Sequence, residues 1–351
     1  MTVAHRQNNS TRLEGNLALS TGFISGDFRQ QNRSSKRPGS PISIHRATSP
    51  GFSSKPQRKS YSERLEVKKN TKAKLVGLLA KVGESDLSER VKLCGSKFEV
   101  LRDKKAVISR KPFHKCNHKL CPFCAARRSK KIVGKYLKRA QDFVRFGKIR
   151  VEPVHLVLTE KHRKGEMLAD SRKRLMVSFR KLTGRNFWKR YFAGGLYSIE
   201  MTLGKDGLWH CHLHVLAFRR RFFDISILRS EWQKITGDSH VLRLDKVTGL
   251  ETGLREICKY LSKPADISKF GVKQISEILK LKGARMFGTF GEFGKFCREY
   301  EESATDNENE FEGLSEGDIC PCGCGEKLIR EVMTVDELIA FARKGEIVYR
   351  K

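Results

Sequence analysis

Acidic residues are scarce in this 351-residue chain: 39 Asp and Glu stand against 71 Lys and Arg, for a formal net charge of +32. A field of that size makes polyanions the natural partners, nucleic acid first and an anionic membrane surface second. No apolar run is long enough to span a bilayer, and no secretory signal opens the chain. Both absences point to a cytoplasmic setting without a membrane partner. In that reducing setting disulfides are not expected, so the ten cysteines point to metal sites or buried thiols. No internal repeat is present. Histidine is scarce too, with ten in the chain, which makes a crowd of three informative.

That crowd is His210, His212 and His214 in "EMTLGKDGLWHCHLHVLAF", residues 200–218. Alternation is the signature of a strand, and it places the three imidazoles on one face. Trp209, Cys211, Leu213, Val215 and Ala217 form the opposite, core face. Residues 197–203 alternate as well, and Gly204-Lys205-Asp206-Gly207 between the two runs signals a turn. A four-residue loop would pair Glu200 with Cys211, on the wrong face. A three-residue loop, Lys205 to Gly207, pairs Glu200 with His212 and gives Gly207 the positive φ such a turn requires. Glu200, His212 and His214, with His210 nearest the turn, then form a mixed nitrogen and oxygen set suited to a borderline or hard divalent cation.

Periodicity orders the rest. Residues 1–72 carry fourteen basic and four acidic residues with little apolar pattern, and read as a disordered basic arm. Residues 73–146 hold a short helix, a cysteine-rich element and an amphipathic helix from Arg127 to Phe146. Residues 147–298 read as strand, helix broken near Gly184, hairpin, helix, strand and helix. That order gives an α+β class: an antiparallel sheet with helices packed on it. Residues 299–318 contain nine acidic residues and no Lys or Arg, an acidic linker. Residues 319–351 form a small tail with "CPCGCG" and a helix opened by a Thr334-x-x-Glu337 capping box.

Cys94, Cys116, Cys121 and Cys124 include one Cys-x-x-Cys, the ligand spacing of structural zinc sites, with His114 and His118 as substitutes for Cys94. A Zn²⁺ knob there presents Arg127, Arg128, Lys130 and Lys131 to phosphates. The tail cysteines 320, 322 and 324 hold half a metal site, complete a shared one, or do nothing. In "GLETGLREICKYLSKPAD" (249–266) the apolar stripe is Leu250, Leu254, Ile257, Cys258 and Leu261. Glu256, Tyr260 and Lys263 fall together away from it. Beside a metal, Tyr260 is a candidate nucleophile, Lys263 a cation that favours phenolate or neutralises phosphate, and Glu256 a base for water.

Together these residues resemble the rolling-circle replication initiators of the HUH (His-hydrophobic-His) endonuclease superfamily, in the plasmid group with Glu-x-x-x-Tyr. "WHCHLHVL" matches its metal motif, "EICKYLSK" its nucleophile motif and "HLVLTEKH" (155–162) its first strand motif. The cysteine run resembles that group's amino-terminal pattern, and the likeness covers roughly residues 94–292. It implies that Tyr260 attacks a phosphodiester at the plasmid origin, leaving a 5′-phosphotyrosine and a free 3′-OH primer. It further implies that His212, His214 and Glu200 hold Mg²⁺ or Mn²⁺ and that Glu256 supports hydrolytic termination. The implied partners are origin DNA, single-stranded or as a hairpin, with host helicase and polymerase. The same chemistry leaves open an HUH transposase or relaxase, and the fold alone a non-catalytic, zinc-stabilised DNA-binding regulator.

Overall fold

A computed structural model describes residues 60–104, 106–147, 150–262, 267–300, 314–321 and 324–344, with only the backbone for residues 260–262. The chain opens with α1 (Tyr61–Lys81), capped by Ser60, whose hydroxyl accepts from the Glu63 amide while the Glu63 carboxylate reaches back to the Ser60 amide. The helix therefore starts inside the span expected to be a disordered arm. Its polar residues hide its periodicity, but the Ser60-x-x-Glu63 box fixes its start. The rest of the arm lies outside the described residues.

A short helix α2 (Ser85–Leu93) leads to β1 (Lys97–Arg102) and β2 (Val107–Pro112), an antiparallel pair. Helix α3 (Pro122–Phe146) begins at a proline, which needs no amide partner in a first turn. It thus starts ahead of the expected Arg127.

The main sheet follows the expected order. Strand β3 (Glu152–Thr159) leads to α4 (Leu168–Gly184) and α5 (Asn186–Tyr191), separated at the anticipated break. The hairpin β4 (Phe192–Leu203) and β5 (Trp209–Arg219) precedes α6 (Ile225–Thr236), β6 (Leu242–Lys246) and α7 (Leu250–Ser262). Helix α8 (Val272–Leu279), β7 (Phe287–Phe290) and α9 (Gly291–Glu299) complete this part. The strands lie in the order β6-β3-β5-β4-β7, every neighbouring pair antiparallel. The fold is α+β, as expected.

Strand β5 explains the layering. Its residues Cys211, Leu213, Val215 and Ala217 join Leu175, Phe179, Leu228 and Trp232 of α4 and α6 in one apolar core. The opposite face carries the histidines and then Leu216 and Phe218, which pack with Phe143 of α3, Leu254, Ile257 and Cys258 of α7 and Phe293 of α9. The histidine face is therefore roofed at one end by helices. Gly253 permits the close approach of α7, because a Cβ there would lie 2.7 Å from Val247 and 3.0 Å from Leu216.

The end of the chain returns to its beginning. Strand β8 (Ile329–Thr334) pairs antiparallel with β1, from Lys97 opposite Thr334 to Arg102 opposite Ile329, and makes a second sheet β2-β1-β8. Helix α10 (Val335–Lys344) places Leu338 and Ile339 in a core with Leu65 and Val100. The Thr334–Glu337 capping box forms, with the Glu337 amide donating to the Thr334 hydroxyl at 3.2 Å. The segment set apart as a small tail is therefore built into the amino-terminal element. The acidic segment between α9 and Leu314 lies outside the described residues.

Candidate metal and nucleophile site on the sheet

The hairpin register is the one the three-residue loop requires. Glu200 stands opposite His212, Ser198 opposite His214 and Thr202 opposite His210. The Gly204 amide donates to the Leu208 carbonyl at 2.9 Å, and Gly207 takes φ +73°. On the other flank of β5, Thr159 faces His212 and Val157 faces His214. Antiparallel partners share a face, so one carboxylate and two imidazoles look toward α7 from adjacent strands.

The side chains are arranged unequally. His214 Nε2 lies 3.1 Å from Glu200 Oε2, and its Nδ1 lies 3.4 Å from His155 Nε2. The rings of His155 and His214 stack with centroids 5.6 Å apart. His212 Nδ1 lies 2.9 Å from the Thr159 hydroxyl, and its Nε2 is 3.4 Å from that of Thr202. Each imidazole thus has its Nδ1 toward β3 and its Nε2 toward the strand that carries Glu200. Second partners of this kind orient ligating histidines. Glu200, His212 and His214 are not drawn together within 4.8 Å as the tighter donor groups are, so convergence on one point is incomplete.

Burial holds His155 down to about 4, aided by the facing His214, and lowers His212 as well. Both shifts favour the neutral ring, the state a metal ligand needs. His155 is the residue that sequence reasoning passed over. The available signal was its two-residue spacing from Val157 and Thr159 on β3, which places it on the same face.

His210 also takes part in a second donor group. It meets His162 and Asp206 at the turn, with Asp206 3.1 Å from His162 Nε2 and 3.7 Å from His210 Nε2. The two rings lie 4.2 Å apart between centroids. Gly204 makes room for this arrangement, since a Cβ there would sit 2.6 Å from His210 Nε2. The Asp206 carboxylate in the turn engages His210, whose ring still stacks with that of His212 at 6.5 Å between centroids.

Helix α7 is fastened over this face at two points. The Ser198 hydroxyl, with no solvent exposure, donates to the Ile257 carbonyl at 2.8 Å. The Ser129 hydroxyl of α3 donates to the Cys258 carbonyl at 3.0 Å. Leu254, Ile257 and Cys258 are fully buried, as the expected stripe requires. Glu256, at the other side, contacts Lys259 at 3.0 Å, and its charge reaches His155. Tyr260 falls on the last turn of α7, one turn after Glu256. Lys263 lies outside the described residues; Lys259, not singled out from sequence, is the cation placed beside Glu256.

The four cysteines come together as expected. Cys94 Sγ lies 3.4 Å from Cys124 and 3.6 Å from Cys121, and Cys116 lies 3.7 Å from Cys124. A tetrahedron with ligand arms of ~2.3 Å has edges of roughly 3.8 Å, whereas a disulfide requires about 2.05 Å. All four are buried, and Cys94, at the end of α2, takes the fourth corner in place of His114 or His118. Hydrogen bonds among the four thiols lower Cys94 and Cys124 and raise Cys116 and Cys121, the mark of thiols close enough to share protons. From this knot α3 runs out with Lys130 and Lys131 exposed. Arg127 and Arg128 instead hold Asn117, through its side chain at 2.7 Å and its carbonyl at 3.0 Å.

A family model described as "Replication protein" matches residues 109–319, more than half the chain. A curated "Protein rep" from Streptococcus pneumoniae serotype 2 is 26% identical over 258 residues, covering 67% of this chain and 78% of that protein. A "Protein rep" from Lentilactobacillus hilgardii is 28% identical over 155 residues, 42% of this chain and 48% of its own length. One from Bacillus amyloliquefaciens is 28% identical over 179 residues, 46% and 52% respectively. No solved structure matches. Among the described residues no helix is long and apolar enough to cross a membrane.

Proposed function

Because the chain belongs to the Replication protein family, we propose that it initiates plasmid rolling-circle replication by nicking origin DNA with Tyr260. The observation that carries the reading is the register of β4 and β5, which puts Glu200 opposite His212 and beside His214 beneath the helix that bears Tyr260. Three donors of mixed nitrogen and oxygen type, two with their second nitrogen already held, fit a hard or borderline divalent cation. That cation, Mg²⁺ or Mn²⁺, polarises the scissile phosphate when it is bound.

The chain's own residues do the rest. The Tyr260 oxygen bonds to phosphorus as the bond to the 3′ oxygen breaks. The phosphate stays on tyrosine as a 5′ ester, and the proton lost by the phenol balances the one gained by the departing 3′-OH. Lys263 and Lys259 supply positive charge near the phosphate. In termination Glu256 takes a proton from water as water attacks phosphorus and the bond to the tyrosine oxygen breaks; returning that proton to the tyrosine frees the enzyme after one round. The four-cysteine knot holds Zn²⁺ and fixes the start of α3, whose Lys130 and Lys131 meet backbone phosphates while Arg127 and Arg128 brace the knot's loop. Origin DNA is the substrate, single-stranded or extruded as a hairpin, and host helicase and polymerase act on the primer left behind.

The test is the chemistry of the cut ends. Oligonucleotides tiling the origin, incubated with the protein and Mn²⁺, should yield one fragment extendable by a polymerase and a second whose 5′ end is blocked by protein. Fragments with free 5′-phosphates and no protein attached from a Glu256→Ala variant, which lacks the base for hydrolytic release, would point to plain metal-dependent hydrolysis and overturn the proposal.

A further inference from the structure

The tail cysteines form a second donor cluster that the nicking reading leaves unused. Asp103 sits in the turn between β1 and β2 and is 2% exposed. Its Oδ1 accepts from the Ala106 amide at 2.6 Å, which fixes the carboxylate. Its Oδ2 then faces Cys320 Sγ at 2.9 Å and Cys324 Sγ at 3.7 Å. All three donor atoms lie within 4.8 Å of one another.

The backbone is shaped to bring them there. Residues 317–321 and 324–328 pair across a small knuckle, with the Gly317 amide on the Leu328 carbonyl at 2.8 Å and the Leu328 amide on the Asp318 carbonyl at 2.7 Å. The Cys320 amide bonds to the Glu326 carbonyl at 2.8 Å, and Gly325 takes φ +74° to turn the loop back. Cys320 packs with Leu101, Ile108 and Leu328, so its thiol is held under the Asp103 turn while Cys324 reaches it from the rim. Both halves fall outside residues 109–319, the span the family model matches; the family's activity does not account for them.

We propose that Asp103, Cys320 and Cys324 bind a second Zn²⁺, which clips the carboxyl-terminal segment to the β1–β2 turn. Two sulfurs and one carboxylate oxygen supply three of the four positions that Zn²⁺ takes, each of a donor type it accepts. Cys322, between the two cysteines in sequence, lies outside the described residues. The clip fixes the chain just before β8, which pairs with β1 across the length of the protein. Its role is structural and independent of Tyr260 chemistry.

The test uses the purified full chain, loaded with zinc and freed of excess metal. Elemental analysis of the wild type and of a Cys320→Ser, Cys324→Ser double variant should differ by one zinc per chain, with the four-cysteine site unaffected. Equal zinc content would overturn the proposal. A second readout needs no variant. Cys324 is exposed, so iodoacetamide followed by peptide mass spectrometry should label it slowly in the zinc-loaded protein and at least tenfold faster after chelation. Equal labelling rates before and after chelation would overturn the proposal even if the double variant failed to fold.

Discussion

Replacing Ser198 by alanine removes one hydroxyl from a position with no solvent exposure and leaves the backbone of β4 untouched. The lost contact is the 2.8 Å hydrogen bond to the Ile257 carbonyl, the direct tie from the sheet to α7 next to the His214 register position. A buried hydrogen bond of this kind contributes about 1 kcal/mol net, and leaving a polar group without that partner raises the cost to roughly 1–2 kcal/mol. The cavity is one oxygen atom in size and adds little. If the bond serves to place α7, the same energy appears in the nicking barrier, and a loss of ~1.4 kcal/mol slows the reaction about tenfold. Urea denaturation gives the stability and single-turnover nicking gives the rate. Wild-type values in both would refute the idea that this bond positions α7, and a stability loss with an unchanged rate would limit its role to folding.

Other predictions follow from particular contacts. Lys68 is pushed down to about 8 by burial and by the charges of Arg110 and Arg64. The unfolded chain keeps the ordinary value near 10.5, so between pH 8 and 10.5 it binds the extra proton and stability rises with pH. Lys68→Met should therefore stabilise the protein at pH 7 by about 1–2 kcal/mol, after allowing for partial exposure, and flatten that slope; a destabilised variant in thermal melts would contradict the assignment. Gly194 takes φ +104° with its missing Cβ only 2.2 Å from the Phe290 carbonyl, so Gly194→Ala should cost about 3 kcal/mol or more and separate β4 from β7. Loss of amide-exchange protection in β7 would report it, and an unchanged melting temperature would refute it. His155→Ala should weaken Mn²⁺ binding by about 10-fold or more without abolishing it, as expected for a residue that orients His214; isothermal titration showing wild-type affinity would remove His155 from the site.

The hairpin was legible because two local signals agree. Period-two alternation sorts the faces, and Gly207 fixes the loop length that puts Glu200 opposite His212. The cysteine knot was legible through Cys121-x-x-Cys124, although the choice of Cys94 over His114 or His118 depends on where α2 ends. Other features depend on contacts distant in sequence. Pairing of β8 with β1 joins Thr334 to Lys97, and neither short strand carries a pattern that names its partner. The contact of His210 with His162 arises because β3 brings His162 beside the turn, a meeting that spacing within the hairpin does not contain. The first turns of helix α1, ahead of residue 73, were missed for a different reason. Their long run of Lys, Glu and Asn blurs the apolar period, so only the Ser60–Glu63 cap marks the helix start.

The most direct measurement is mass spectrometry of the protein after incubation with Mn²⁺ and a cleavable single-stranded origin oligonucleotide, with Tyr260→Phe and a chelated sample alongside. A tyrosine nucleophile predicts a denaturation-resistant adduct mapped to the peptide containing Tyr260, absent from both controls. An adduct on a different residue, or the same yield from Tyr260→Phe, would contradict it.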